Sequence, residues 1–263
     1  MFLFVTFLKR SFLERYAYRF DFYTSIFGSF ISLFVQLNVW SVLMENNSSN
    51  SQVSLDEMLT YVIITSLITA LTASQVGEKI AQKVDNGSII SDFIRPINIR
   101  NYLWAEDIGK NIFNFLLINI PNVIIILLFM RIEIVFELSN FLMFLISLVL
   151  AIIIAFYIQF VLGLLAFWLQ TPWYISWILN ACKDLFSGSV IPLWFYPDWL
   201  YQISSWLPFR LIIFEPINMY LGNLSIDEGY KILLLQCVWI VSLYLLSKLI
   251  WSKAQSKIIV HGG

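Results

Sequence analysis

Lys183 and Asp184 are adjacent charged residues inside an apolar segment, where their side chains could carry chemistry. Ionisable groups within a membrane segment are costly and usually face a cavity or a partner. The pair can neutralise itself and serve only the structure, or it can line a transport pathway or a subunit interface. As ion-coupling groups, the two side chains would support a self-sufficient secondary transporter or channel.

Most residue sets that enzymes use are missing from the sequence. The one histidine, His261, is close to the end of the chain, so no His-based metal site and no Ser–His pair can be built among the apolar segments. No GxxxxGK[ST] sequence is present, so the chain has no P-loop for ATP. We therefore expect no catalytic residues, no cofactor and no metal in this chain. Energy other than an existing gradient would have to come from another subunit.

The composition indicates that membrane helices hold these residues. Of the 263 residues, 59% are hydrophobic and 13% are charged, whereas soluble domains have about 45–50% apolar and about 25% charged residues. Apolar runs of about 18 residues or more indicate membrane spans. The net charge of −1 and the absence of a basic cluster argue against nucleic acid as a partner. Cys182 and Cys237 lie in apolar segments, which argues against a disulfide framework.

The predicted fold is that of an all-α integral membrane protein with six transmembrane helices. The predicted spans are residues 22–44, 58–74, 112–130, 141–168, 173–186 and 232–251. Residues 187–222 are apolar but contain four prolines, so we expect a re-entrant outer hairpin of short helices whose irregular backbone is shielded by protein. Pro121 predicts a kink in the third span.

Residues 1–21 form a predicted amphipathic helix in the membrane interface. Apolar residues recur every three or four positions from Phe2 to Phe20, and the charged residues gather on the other side. We expect its basic residues to face lipid headgroups: Lys9, Arg10, Arg15 and Arg19. The alternative is a cytoplasmic extension of the first span.

The longest polar stretch, residues 75–111, separates the second predicted span from the third and contains five of the sixteen Lys and Arg residues. Apolar residues recur every four positions from Val76 to Val84, which predicts a helix that ends near Gly87. A second amphipathic helix is predicted from Arg100 to Lys110, after a break at Arg95-Pro96. We expect this stretch to contact a soluble partner on the cytoplasmic side.

The distribution of Lys and Arg predicts that both ends of the chain are cytoplasmic. In that orientation four basic residues of the N-terminal helix, five of the polar stretch and three near the C-terminal end lie inside. Arg131, Arg210 and Lys231 lie outside, so the positive-inside rule is satisfied.

Two local sequences, with the order of elements, resemble one transporter family. Residues 86–96 read NGSIISDFIRP, and residues 189–200 read SVIPLWFYPDWL, followed by LPF at 207–209. These sequences resemble the permease subunits of ATP-binding-cassette (ABC) exporters of the second type (ABC-2). The same family resemblance is seen in the terminal Gly262-Gly263, the interfacial helix, the six spans, the polar stretch and the broken hairpin. The resemblance extends over essentially the whole chain.

This resemblance implies a mechanism. Two permease chains, as a homodimer or a heterodimer, would form the pathway between them, and two ATPase subunits would bind ATP and Mg²⁺ and dock on the coupling helix in the polar stretch. The exported substrate would be hydrophobic or amphipathic, such as a drug, a peptide or a lipid. The location would be the plasma membrane of a bacterial cell.

The resemblance also implies roles for individual residues. The residues expected to couple to the ATPase are Lys79, Lys83, Asp92, Arg95, Pro96, Arg100, Trp104, Glu106 and Asp107. The residues expected at the pathway or an interface are Lys183, Asp184, Trp194, Phe195, Trp199 and Trp206. Anchoring at the headgroup level explains these tryptophans equally well.

Overall fold

The computed structural model describes residues 2–17, 19–46, 53–94, 98–130, 137–169 and 173–261, and all regular elements in these ranges are helices. The α-helices are α1 (Phe2–Ala17), α2 (Arg19–Asn46), α3 (Leu55–Thr72), α4 (Val76–Asp85), α5 (Ile89–Ile94), α6 (Ile99–Asn114), α7 (Ile120–Met130), α8 (Leu138–Leu165), α9 (Trp173–Phe186), α10 (Asp198–Trp206), α11 (Phe214–Leu221) and α12 (Ile226–His261). An all-helical membrane protein, expected from the composition, is confirmed.

Among the described residues, five helical stretches are long and apolar enough to cross a membrane. They are Arg19–Glu45, Leu55–Asp85, Ile99–Met130, Leu138–Leu165 and Ile226–Gln255. The predicted fifth span coincides with α9, whose 14 residues give a length of about 21 Å. This is shorter than the hydrocarbon core of about 30 Å. A sixth crossing would need α9 together with chain that follows it, and the count of six spans stays a prediction.

The predicted second helix of the polar stretch and the third span are one helical stretch, Ile99–Met130. A π-helical turn, Phe115–Asn119, lies between α6 and α7, directly before Pro121. A proline removes one helical hydrogen bond and crowds the preceding turn, and the wider π turn accommodates it. The third span therefore extends without interruption into the polar stretch.

The core lies between α3, α8 and α11, where Tyr61, Ile154 and Ile217 are at most 1% exposed. The Tyr61 hydroxyl donates a hydrogen bond to the Gly188 carbonyl at 2.7 Å. Gly188 has a φ of +80°, and a Cβ atom there would lie 2.7 Å from the Tyr61 hydroxyl. Glycine is therefore required where the chain after α9 meets α3.

Residues 187–222 contain short helices and turns, and no long helix. Their backbone is bonded to the longer helices: Gln236 of α12 donates from Nε2 to the Leu211 carbonyl at 2.9 Å and to the Ser147 carbonyl of α8 at 3.2 Å. Gln236 and Ser147 are fully buried. The carbonyl of Leu211, in the irregular part of the segment, is thus bonded inside the protein, as a membrane environment requires.

Candidate coupling insert and polar cavities

Residues 75–111, called the polar insert below, contain α4, α5 and most of α6. Its described ion pairs are Lys79 with Glu106, Lys83 with Asp92, and Lys110 with Glu106 at 3.2 Å. Four residues expected to couple to the ATPase therefore bind one another and hold the insert together. Arg95 and Pro96, also expected at the coupling site, lie outside the described residues.

Two further residues expected at the coupling site contact other helices of the chain. The Arg100 guanidinium carbon lies 5.1 Å from the ring centroid of Tyr244 in α12. The Trp104 ring packs against Phe156 in α8 and Phe4 in α1, with centroids 5.7 and 5.9 Å apart. These contacts fasten α6 to the bundle.

Residues 85–91, which are the end of α4, the turn 86–88 and the start of α5, form the tip of the polar insert, and all of them except Ile89 are exposed. Gly87 has a φ of +72°, which favours glycine, and Asn86 Oδ1 accepts a hydrogen bond from the Ser88 amide at 3.0 Å. Ile90 is 51% exposed and is the large apolar side chain that this tip presents. Ile90 was not among the predicted coupling residues, which are mostly charged. An apolar residue within a polar turn is the pattern that could have indicated it.

The polar insert touches the bundle backbone to backbone where α4 crosses α8. A Cβ atom on Gly163 would lie 2.8 Å from the Gly77 Cα, and one on Gly77 would lie 2.9 Å from the Gln159 carbonyl oxygen. Helices approach so closely where small residues meet. The sequence does not predict this contact, because two glycines far apart in the sequence make no local pattern.

Helix α1 runs alongside α6. Ser11 Oγ donates to the Glu106 carbonyl at 2.9 Å, and a Cβ atom on Gly109 would lie 2.5 Å from the Leu8 carbonyl oxygen. Phe12 packs edge-on against Phe113, with centroids 5.2 Å apart. The N-terminal helix is therefore joined to the helix that carries the polar insert.

The basic residues of the first helices fall into two groups. Lys9, Arg10 and Arg19 are exposed, and their contact with headgroups stays a prediction. Arg15 is half-buried and lines two cavities. Because Arg15 follows Ser11 by one helical turn, it lies on the face of α1 that packs against α6.

Replacing Gly109 with valine is expected to loosen α1 from α6, because the Leu8 backbone cannot move aside while the helices stay packed. Overpacking costs about 1–3 kcal/mol, so amide hydrogen exchange in α1, followed by mass spectrometry, should be about tenfold faster. Gly28→Val is the control, since a Cβ atom on Gly28 meets no atom within 4 Å. Equal exchange in α1 for both variants would contradict the close contact.

Two adjacent polar cavities are lined by residues of α1, α3, α6 and α9, and the first of them lies between the polar insert and residues 187–222. The first, of about 250 Å³, is bounded by Asp107 and Lys110 on one side and by Phe209 and Ile212 on the other. The second, of about 400 Å³, lies between α2 and α3. Residues that line both cavities are Arg15, Ala73 and Asn114. Asp107, expected to couple to the ATPase, is 8% exposed and faces the first cavity.

Lys183 lines the first cavity and Asp184 lines the second. Successive residues of a helix point about 100° apart, which accounts for this division. Asp184 Oδ1 accepts a long hydrogen bond from Ser189 Oγ at 3.4 Å. No ion pair joins Lys183 to Asp184 in the described part of the chain.

The aromatic residues expected at the pathway have two different environments. Trp194 packs between Tyr61 and Phe214 in the core, and Phe195 stacks on a tryptophan of α2. Trp199 and Trp206 in α10 are 64% and 82% exposed. Exposed tryptophans suit a headgroup-level position, and a gating role for any of the four stays a prediction.

Comparison with known proteins gives one match. The family described as ABC-2 family transporter protein matches residues 30–262, a range that includes the polar insert, residues 187–222 and most of the residues that line the two cavities. No curated protein and no solved structure matched. ABC-2 membrane subunits associate with ATP-binding subunits in ABC transport systems. The chain therefore belongs to the ABC-2 transporter family and is a multi-pass membrane permease of an ABC transport system.

Proposed function

We propose that this chain forms half of the membrane pathway of an ABC exporter and that an ATPase subunit binds the tip of its polar insert, residues 85–91. The observation that carries this proposal is the bracing of an exposed tip against the spans. Helix α4 contacts α8 through Gly77 and Gly163, and α6 continues into α7. A force on the tip would therefore move several helices together, as a rigid-body transport cycle requires.

The topology that suits this function has six spans and both ends in the cytoplasm of a bacterial cell. Helix α9 and part of residues 187–222 would make the additional crossing. In this orientation the tip lies on the cytoplasmic side, where ATPase subunits are available. The excess of Lys and Arg near that side supports it.

A second permease chain, identical or homologous, would pack against α9. The exposed apolar residues of α9 share one helical face: Tyr174, Trp177, Ile178 and Leu185. Helix α9 has few contacts within the chain compared with α8. An apolar face of this kind suits another helix or lipid, and a dimer would place the cavities of two chains near a common pathway.

In this proposal the present chain forms the transport pathway, and the partner subunits hydrolyse ATP. Two ATPase subunits would bind ATP and Mg²⁺, and this chain would have no catalytic residues and no cofactor of its own. A hydrophobic or amphipathic substrate would pass between the permease chains. The absence of a P-loop from the sequence supports this division.

The proposal can be tested with Ile90→Asp in the complex obtained when this gene is expressed together with its neighbouring genes. A carboxylate buried in an apolar contact without a partner is costly, so we expect at least a tenfold loss of co-purifying ATPase. Ile226→Asp, at an exposed position at the start of α12, is the matched control and should leave the complex intact.

Equal ATPase recovery with Ile90→Asp would show that the tip is not the docking surface. A wild-type chain that purifies without any ATPase would contradict the permease mechanism as a whole. The alternative would then be a secondary transporter or channel in which Lys183 and Asp184 couple transport to an ion.

A further inference from the structure

Helix α2 has a row of polar side chains along one face of its apolar middle part. Ser25, Ser29, Ser32 and Gln36 follow one another at intervals of four, three and four residues, so they share one side of the helix. All four line the second cavity. Across that cavity, Ser66 and Thr69 of α3 are half-buried and also line it. Hydroxyl groups on two sides of the cavity suit a ligand that has hydrogen-bonding groups of its own.

The first cavity has more positive than negative groups. Arg15, Lys110 and Lys183 line it together with one carboxylate, that of Asp107. Lys110 pairs with Glu106 at 3.2 Å. The side chains of Arg15 and Lys183 make no ion pair and no hydrogen bond to any described residue. The carboxylates that share the two cavities with them are Asp107 in the first and Asp184 in the second, and neither forms a described ion pair with Arg15 or Lys183. Two half-buried cations without a bonded partner make a site that an anion would stabilise.

The second cavity reaches the outer surface of the chain at α2. Ser32 and Gln36 are exposed although they line the cavity, and the neighbouring surface of α2 is apolar at Phe27, Ile31 and Val35. An amphipathic molecule can therefore place its polar group in the cavity and keep its apolar part against α2.

We propose that the two cavities bind an anionic group that also carries hydroxyls, such as a phosphorylated polyol, and that this is the polar group of the transported molecule. Arg15 and Lys183 would hold the negative charge, and the serines of α2 with Thr69 of α3 would bond to the hydroxyls. That the bound molecule is transported rests on the proposed permease function. The binding itself depends on the cavities alone.

The test measures binding to the purified complex by isothermal titration calorimetry. The probes are dihexanoyl phosphatidylglycerol, its zwitterionic counterpart dihexanoyl phosphatidylcholine, and sn-glycerol 3-phosphate. We expect phosphatidylglycerol to bind at least tenfold more tightly than phosphatidylcholine, and Lys183→Met to remove this preference. Lys231→Met, at an exposed position of α12, is the control and should retain it.

The three probes distinguish a lipid headgroup from a free anion. Binding of glycerol 3-phosphate with the same dependence on Lys183 would assign the site to the headgroup itself. Binding of phosphatidylglycerol alone would show that the apolar part is also required. Equal binding of both lipids, or binding that Lys183→Met does not change, would overturn the proposal.

A second pair of variants covers the case in which Lys183→Met fails to fold. Asn180 lines the first cavity one turn before Lys183 and is exposed, so a change there leaves the core intact. Asn180→Asp should weaken phosphatidylglycerol binding and Asn180→Lys should strengthen it, and the same affinity in both would contradict the proposal. ATPase recovery from the same preparations tests the permease function separately, because neither position lies near the insert tip.

Discussion

Replacing Gly163 with alanine is expected to uncouple ATP hydrolysis from transport. The added Cβ atom would lie 2.8 Å from the Gly77 Cα, and backbone atoms cannot give way unless α4 and α8 separate. Overpacking of this kind costs about 1–3 kcal/mol. The tip of the polar insert is unchanged, so the ATPase should still bind while substrate-dependent ATP hydrolysis and transport are lost.

Gly28→Ala is the matched control, and we expect it to raise the melting temperature, whereas Gly163→Ala should lower it. Nothing lies within 4 Å of a Cβ atom at Gly28, and alanine is favoured over glycine within a helix by about 1 kcal/mol. Thermal unfolding of the detergent-solubilised complex, followed by tryptophan fluorescence, measures both variants. A melting temperature for Gly163→Ala at or above that of the wild type would show that the contact between α4 and α8 is not tight.

The second large effect is expected at the buried ion pair of Arg210 and Glu215. Arg210 Nη1 lies 3.0 Å from Glu215 Oε1, and the two side chains are 16% and 4% exposed. Removing one partner of a buried pair costs about 3–5 kcal/mol, whereas replacing both by apolar residues is often neutral. Arg210→Met should therefore strongly destabilise residues 187–222, and the double variant Arg210→Met, Glu215→Met should recover most of the loss. A double variant as unstable as Arg210→Met would contradict this explanation.

The loss in Arg210→Met should also depend on pH. The buried Glu215 carboxylate has the Arg210 guanidinium as its ion-pair partner. Without Arg210 a buried ionised carboxylate is left unpaired, so the protonated carboxyl is the more favourable form in the folded protein. Stability should therefore increase as the pH falls toward the ordinary range of a carboxyl, and unfolding measured across that range checks the sign. A penalty that is independent of pH would show that lost packing dominates.

The sequence predicted the elements better than their contacts. The sequence predicted the fifth span at residues 173–186, with the same bounds as α9, and the four prolines predicted short helices after it. The second helix of the polar stretch was predicted to lead into the third span, and the structure makes the two one helical stretch. The sequence does not show the π turn that precedes Pro121, and the kink expected at that residue stays a prediction.

The functional residues were harder to predict for a physical reason. A helical pattern tells which charges share a face and does not tell which of them meet a partner within the chain. Lys79, Lys83 and Asp92 form ion pairs inside the insert that the pattern did not predict, and their role at the ATPase, which the resemblance implies, stays a prediction. Arg15 was expected at the headgroups and lies beside the cavities, because its direction depends on how α1 packs on a helix distant in the sequence.

The packing of α1 on α6 has a consequence for synthesis of the chain. Phe4 meets Trp104, a residue made one hundred positions later, so about 5–20 s pass between their syntheses at about 5–20 residues per second. During that interval the apolar face of α1 has no protein partner, and the membrane surface is the apolar environment within reach. Because α1 is amphipathic, it can lie at the membrane surface until α6 has been synthesised and the two helices pack together.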